Sequence, residues 1–194
     1  MRAARAVDRE IVIGPISNLR RRQRGSRDPE RFCRIYFPEL FYNPFSKSQK
    51  LIIKSITDRI YYGGFQAVAA ERGTGKTTIA RIVGLIWAIV YGYIKYGVCI
   101  NANGMFASGA LEDVKQLYET NDLLAADFPE VCTPIRALEG KSQRAGGQSY
   151  QGQRTRLLWQ KELIRFPAIT GSMAAGALVC TKGIDGAIRG LVRD

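Results

Sequence analysis

The chain contains no histidine, the side chain that proteins use most often for metal binding and for proton transfer near neutral pH. A histidine-based metal site and a histidine general base are therefore excluded. Acidic residues are also few: 17 Asp and Glu stand against 29 Lys and Arg, which gives a formal net charge of +12. A charge of this size and of one sign indicates a polyanionic partner, with nucleic acid favoured over an anionic membrane and plain solubility as the third interpretation.

Closely spaced cysteines and long apolar runs are missing too. The four cysteines are far apart and form no C-x-x-C pair, so we expect reduced, mostly buried thiols in a cytoplasmic protein without a signal peptide; they are Cys33, Cys99, Cys132 and Cys180. The most apolar run, residues 82–94, is too short to span a bilayer and is flanked by charges. We interpret it as a buried helix and predict no membrane association.

A glycine-rich stretch at residues 70–78, Ala-Glu-Arg-Gly-Thr-Gly-Lys-Thr-Thr, has the pattern of a phosphate-binding loop. Ala70 replaces the first glycine of the strict motif. Residues 65–69 predict a short buried strand before the loop, and the apolar segment from 77 to 93 predicts a helix after it. The alternative is a Gly- and Thr-rich turn with a lone lysine, but the order of strand, turn and helix favours the loop.

Each residue type in the loop suits an anion. Gly73 and Gly75 allow the backbone to turn its N–H groups inward, and the following helix start adds unpaired N–H groups. Lys76 is predicted to contact the β- and γ-phosphates of ATP, and the Thr77 hydroxyl to complete a Mg²⁺ shell. The candidate cofactor-binding residues in the loop are Gly73, Thr74, Gly75, Lys76, Thr77 and Thr78.

Arg72 lies inside the loop, where a planar guanidinium can reach a γ-phosphate. The alternative is a solvated charge that balances Glu71.

The loop at residues 72–77 resembles the variant phosphate loop of the large terminase subunits of tailed bacteriophages, although that family often has proline at the position of Glu71. The matching stretches extend from about residue 31 to the end of the chain; besides the loop they are Tyr36-Phe37-Pro38, Asn121-Asp122-Leu123-Leu124, Asp127-Phe128-Pro129-Glu130 and Gly186-Ala187-Ile188-Arg189-Gly190.

The resemblance implies an α/β fold of the P-loop NTPase (ASCE) type: a mostly parallel sheet flanked by helices, here incomplete and with a β-hairpin insertion. It implies ATP hydrolysis coupled to translocation of double-stranded DNA into a capsid. The implied partners are a portal protein, a small terminase subunit and further copies of the chain in a ring, at the procapsid vertex in the cytoplasm of a bacterial host.

The resemblance also assigns roles to residues. Arg72, Lys76 and Arg189 become candidate catalytic residues, with Arg189 as a finger that reaches a neighbouring subunit's nucleotide. Gln49 becomes a candidate contact to the adenine edge. The alternatives are a surface glutamine and a basic surface residue near the C-terminus.

No apolar strand ending in Asp-Glu or Asp-Asp follows the loop, although an ATPase needs such acids for Mg²⁺ and for water activation. We therefore expect the front part of a terminase ATPase domain, from a truncated or interrupted gene or a fragment. It should be hydrolytically inactive alone and have a gap in the sheet beside the phosphate-loop strand. A helicase-like ATPase and a non-enzymatic nucleotide- or DNA-binding remnant are the alternatives.

Two regions are expected. Residues 1–27 are arginine-rich and predict a flexible basic arm that contacts DNA phosphates or an acidic partner, or is simply a solvated tail. Residues 28–194 form the partial ATPase domain. Its remaining predicted elements are a helix from Pro29 capped by Asp28, a helix over 50–61, a strand at 97–101, a helix through 111–118, a hairpin of 155–159 with 163–167 and a strand at 177–180.

Overall fold

The computed structural model describes residues 9–184 and has an α/β fold. The helices are α1 (Leu19–Ser26), α2 (Pro29–Tyr36), α3 (Lys47–Tyr62), α4 (Lys76–Ile79), α5 (Ala88–Val90), α6 (Gly104–Thr120), α7 (Asp122–Asp127) and α8 (Pro129–Arg136), with a π-helix at Ala80–Trp87 and a 3₁₀ turn at Ser142–Ala145. The strands are β1 (Arg9–Glu10), β2 (Tyr96–Asn101), β3 (Gln148–Tyr150), β4 (Gln153–Arg154), β5 (Leu158–Trp159), β6 (Leu163–Arg165) and β7 (Leu178–Gly183).

The strands form two mixed sheets. The larger has the order β2-β7-β6-β5, and the smaller has the order β1-β3-β4. In the larger sheet β2 and β7 are parallel over six residue pairs, while β6 is antiparallel to both β7 and β5. The prediction of a mostly parallel sheet is therefore wrong. Within the larger sheet, β2 and β7 are joined by a long crossover that includes α6, α7 and α8, while the short connections around β6 produce antiparallel pairs. In the smaller sheet β1 and β3 are parallel and β3 and β4 antiparallel.

Several predicted elements are confirmed. Helix α2 begins at Pro29, and the Asp28 side chain accepts a hydrogen bond from the Arg31 backbone N–H at 2.9 Å. The predicted hairpin is the β5–β6 pair, and the strand predicted at 177–180 is β7. The long helix after the loop is also present, but its middle turns are π-helical, an uncommon conformation over this length.

The strand predicted before the phosphate loop is absent, so that prediction is wrong. Residues 63–70 form no regular structure, and all but Ala70 are exposed, including Phe65 and Val68. Strand β2 pairs with β7, and no described strand lies along its other edge. Without a neighbouring strand, the backbone of residues 65–69 has no ladder to join. Because the phosphate-loop strand itself is absent, the larger sheet simply ends at β2, and the gap expected beside that strand has no counterpart.

The predicted flexible arm contains an anchored helix, α1. Its N-terminus docks on the Asp127 carboxylate, which is fully buried. Arg21 donates to both Asp127 oxygens at 2.6 and 2.7 Å, and the Asn18 backbone N–H and the Tyr36 hydroxyl donate at 3.0 and 2.8 Å. A flexible arm would leave this buried charge with only the Tyr36 hydroxyl among these donors, which explains why residues 18–26 are ordered against the core.

The other end of α1 is held by aromatic donors from the long helix after the loop and the turn that follows it. Trp87 donates to the Gly25 carbonyl at 2.9 Å, and the Tyr91 and Tyr93 hydroxyls donate to the carbonyls of Arg22 and Ser26 at 2.6 and 2.8 Å. These rings belong to an aromatic cluster in the core that also includes Phe32, Tyr36 and Phe128. The basic helix is therefore part of the globular unit.

The cysteines are free thiols: Cys33, Cys132 and Cys180 are buried and Cys99 is half-buried. Burial raises the pKa of Cys33 and Cys132 to about 12, so both remain protonated at neutral pH. Within residues 9–184, no helix has the combination of length and apolar character that crossing a membrane requires.

Replacing Asp127 by Asn should lower the free energy of unfolding by about 2–3 kcal/mol, because it removes charge-assisted hydrogen bonds in a buried site. Asp122→Asn is the matched control. Its carboxylate is 93% exposed and pairs with Arg136, so the loss should stay below about 1 kcal/mol. Urea unfolding followed by circular dichroism measures both, and equal losses in the two variants would contradict the proposed anchor.

Replacing Phe65 by Ser should reduce aggregation and the binding of the dye ANS without loss of stability, because the ring is fully exposed. Phe166→Ser is the contrast: that ring is fully buried, and its loss should cost about 3–5 kcal/mol. Light scattering and thermal melting separate the two effects. A destabilised Phe65→Ser variant would show that residue 65 packs in the native state.

Candidate phosphate-binding site

The loop backbone follows the glycine pattern seen in the sequence. Gly73 and Gly75 have φ values of +83° and +74°, in the region that L-residues avoid and glycine adopts freely. Ala70 does not have a positive φ. This explains physically why alanine is tolerated at the position of the motif's first glycine.

The Lys76 side chain folds back over the loop. Its ammonium donates to the carbonyl oxygens of Ala70 and Glu71, each at 3.1 Å. The Thr74 hydroxyl donates to the same Glu71 carbonyl at 3.0 Å. The ammonium is thus held over the loop by neutral carbonyl acceptors. A phosphate oxygen is a stronger, charged acceptor and can take their place.

The helix that follows offers backbone donors to the same space. Gly75 is the N-cap of α4 and provides no side-chain cap, so the first backbone N–H groups of the helix, from Lys76 onward, have no intrahelical acceptor. Thr77 and Thr78 lie in this first turn, with Thr77 exposed. Ile79 is buried and is the first residue of the helix to pack into the core. The loop is therefore connected to a helix that is anchored in the core.

Gln49 connects α3 to the loop, a contact that the sequence did not predict. Its side-chain oxygen accepts from the Ser46 backbone N–H at 2.9 Å, and the Ser46 hydroxyl accepts from the Gln49 backbone N–H at 3.2 Å. This reciprocal pair is a capping box. The Gln49 amide nitrogen donates to the Thr74 carbonyl at 3.2 Å. Both ends of the amide are therefore used within the protein.

The two predicted arginines have different outcomes. Arg72 is exposed at the loop surface, and none of the ion pairs among the described residues joins it to Glu71. Arg189 lies outside the described residues. Arg81, on the helix after the loop, pairs with Asp113 of α6 and was not singled out from the sequence.

The loop supplies few metal ligands. Within residues 9–184, no group of three or more His, Cys, Asp or Glu side chains could hold a metal ion. Mg²⁺ accepts one protein hydroxyl together with phosphate oxygens and waters, and the exposed Thr77 hydroxyl in the first helical turn is compatible with that role.

A cavity of about 470 Å³ opens between α3 and the segment that leads into the loop. Residues 66–71 and Thr74 form one side, and Ser48, Leu51 and Ser55 of α3 contribute to the other. The Ser55 hydroxyl is buried without a hydrogen-bond partner. The cavity is thus lined by α3 and by residues that the sequence predicted to be a strand.

Three of the other stretches that carry the resemblance contact one another, those with Tyr36, Asn121 and Asp127; the stretch at 186–190 lies outside the described residues. The Asn121 amide donates to the Tyr36 carbonyl at 2.5 Å, and the Tyr36 hydroxyl donates to Asp127. Burial, together with the hydrogen bond to Asp127, raises the pKa of Tyr36 far above its usual value. These residues build the core support of α1 and α2.

Comparison of the chain with protein-family models, with curated proteins and with solved structures gives no match.

Gln49→Glu should separate the two tasks of Gln49. A carboxylate at this position still accepts from the Ser46 backbone N–H, so the cap of α3 survives, but it cannot donate to the Thr74 carbonyl. We expect faster hydrogen exchange at residues 72–76 and unchanged exchange in α3. Gln49→Ala, the comparison variant, should speed exchange in both. Unchanged loop exchange in Gln49→Glu would contradict a role in holding the loop.

Proposed function

We propose that the chain is the nucleotide-binding part of an ATPase that packages double-stranded DNA, similar to the large terminase subunits of tailed bacteriophages. In this proposal the α/β fold is an incomplete P-loop NTPase fold of the ASCE type. The observation that carries it is the conformation of the loop: two glycines at positive φ, a helix that starts at the next residue, and the Lys76 ammonium held over the loop.

ATP with Mg²⁺ is the cofactor that fits these groups. Backbone N–H groups of the loop and of the first helical turn would surround the phosphates, and Lys76 would exchange its carbonyl partners for β- and γ-phosphate oxygens. The Thr77 hydroxyl would hold Mg²⁺, which when bound neutralises charge on the phosphates. Exposed Arg72 would reach the γ-phosphate with a fork of donors.

Hydrolysis needs a group that orients and activates water, and the sequence provides no apolar strand ending in paired acids. Glu71 is the one acid of the loop sequence. We therefore propose that the chain binds ATP but turns it over negligibly. In the complete motor Arg189 would act on a neighbouring subunit's nucleotide, within a ring that also engages a portal protein and a small subunit in the host cytoplasm.

Lys76→Ala should weaken binding of Mg·ATP at least tenfold, because it removes the cation at the phosphates. Lys50→Ala, an exposed lysine on α3, is the control and should bind like the wild type. Titration with a fluorescent ATP analogue measures the affinity. Release of phosphate should stay at background, and steady turnover near 1 s⁻¹ would contradict the proposed inactivity.

A further inference from the structure

Two sets of arginines occur in the basic N-terminal region, and they have different environments. Arg21 and Arg22 are half-buried and pair with Asp127 and Glu130 at 2.6 and 2.7 Å. A second set is exposed on the outer side of α1 and α2; it comprises Arg20, Arg24, Arg27, Arg31 and Arg34. We call this second set the arginine face.

Helix geometry places the arginine face on one surface. Positions 20, 24 and 27 recur at helical spacing, opposite the buried Gly25. On α2, Arg31 and Ile35 lie one turn apart, and Ile35 lines a shallow groove together with Arg20 and Arg24. From residue 20 to residue 27 the helical rise is about 10 Å.

The arginine face has little acidic compensation. Residues 11–27 contain no Asp or Glu. On α2, Asp28 lies 3.9 Å from Arg31 and also caps the helix, and Glu30 is half-buried. Like charges one turn apart destabilise an isolated helix by a few tenths of a kcal/mol. The helix keeps them because Asp127 and the aromatic donors hold its inner side.

We propose that the arginine face binds the phosphate backbone of duplex DNA without regard to base sequence. Phosphates repeat about every 3.4 Å along each strand, so the 10 Å of α1 spans about three of them. Guanidinium groups match phosphate oxygens with two parallel hydrogen bonds. This inference rests on the proposed function, because duplex DNA is the substrate of a packaging motor. It adds the surface that would bind the DNA.

The packing of α1 favours DNA over a membrane surface. A helix that lies in a membrane interface inserts an apolar side into the lipid. The inner side of α1 is already packed: Gly25 lies against Phe32 and Tyr91, and Trp87 donates to its carbonyl. What remains outside is the row of arginines together with one exposed apolar side chain, Leu19. A single leucine at the helix start does not form an apolar side that could insert into lipid, so the outer side of α1 suits a rigid anionic surface.

The test compares two triple variants that each remove three positive charges. The first is Arg20→Gln with Arg24→Gln and Arg27→Gln; the control is Lys50→Gln with Lys141→Gln and Lys161→Gln, three exposed lysines elsewhere. Binding of a fluorescent DNA duplex is measured by anisotropy at several salt concentrations. The slope of log K against log salt is negative. Its magnitude should decrease by about 2–3 in the arginine variant, at about 0.9 per lost phosphate contact, and by less than about 1 in the control.

Equal slope changes in the two variants, or no duplex binding by the wild type at about 50 mM salt, would overturn the inference. The inference would also be overturned, in favour of a membrane, if the arginine variant kept its DNA binding but lost binding to vesicles that contain anionic phospholipid. All variants concern exposed side chains, so their melting temperatures should match the wild type.

Binding of Mg·ATP, measured on the same proteins, separates the two proposals. The arginine variant should bind nucleotide like the wild type while its DNA binding weakens. A wild-type chain that binds DNA through the arginine face but not ATP would overturn the proposed function and support this inference. A chain that binds ATP but not DNA would overturn this inference alone.

Discussion

The buried carboxylate of Asp127 is the interaction on which the N-terminal half of the structure depends. A desolvated charge is costly unless it is fully hydrogen-bonded, and Asp127 obtains its donors from α1, from the residue before α1 and from α2. Helix α1 has no acid in its own first turn, so Asp127 also supplies the negative charge that a helix N-terminus favours. One side chain thus fixes two helices and orients the arginines of α1.

The loop region is organised differently, by contacts close in sequence. Lys76 bonds to carbonyls five and six residues earlier, and Gln49 reaches Thr74 from a neighbouring helix. None of these contacts requires a strand beside residues 65–69. The loop therefore keeps its conformation although residues 65–69 form no strand. The conformation of the loop and the completion of the sheet are physically separable in this chain.

Local signals predicted local structure well. Asp28-Pro29 gave the start of α2, the glycines of the loop gave its positive φ angles, and apolar runs gave β2, β7 and the hairpin. Predictions that depended on distant partners failed: residues 65–69 look like a strand but lack a neighbour, and the arginines of α1 look like a solvated arm. Helix α1 is ordered by Asp127, which is more than 100 residues away in the sequence, and no local pattern reveals that contact.

Gln49 illustrates the limit for the candidate site. The family resemblance assigns its amide to adenine, whereas here both ends of that amide are used, one in the cap of α3 and one on the Thr74 carbonyl. An adenine contact would have to break at least one of these bonds. Giving up the Thr74 bond would free the loop, while giving up the Ser46 bond would weaken the helix cap. The Ser46 bond is the less costly one to exchange, since its exposed backbone N–H regains water easily, whereas the Thr74 bond is half-buried.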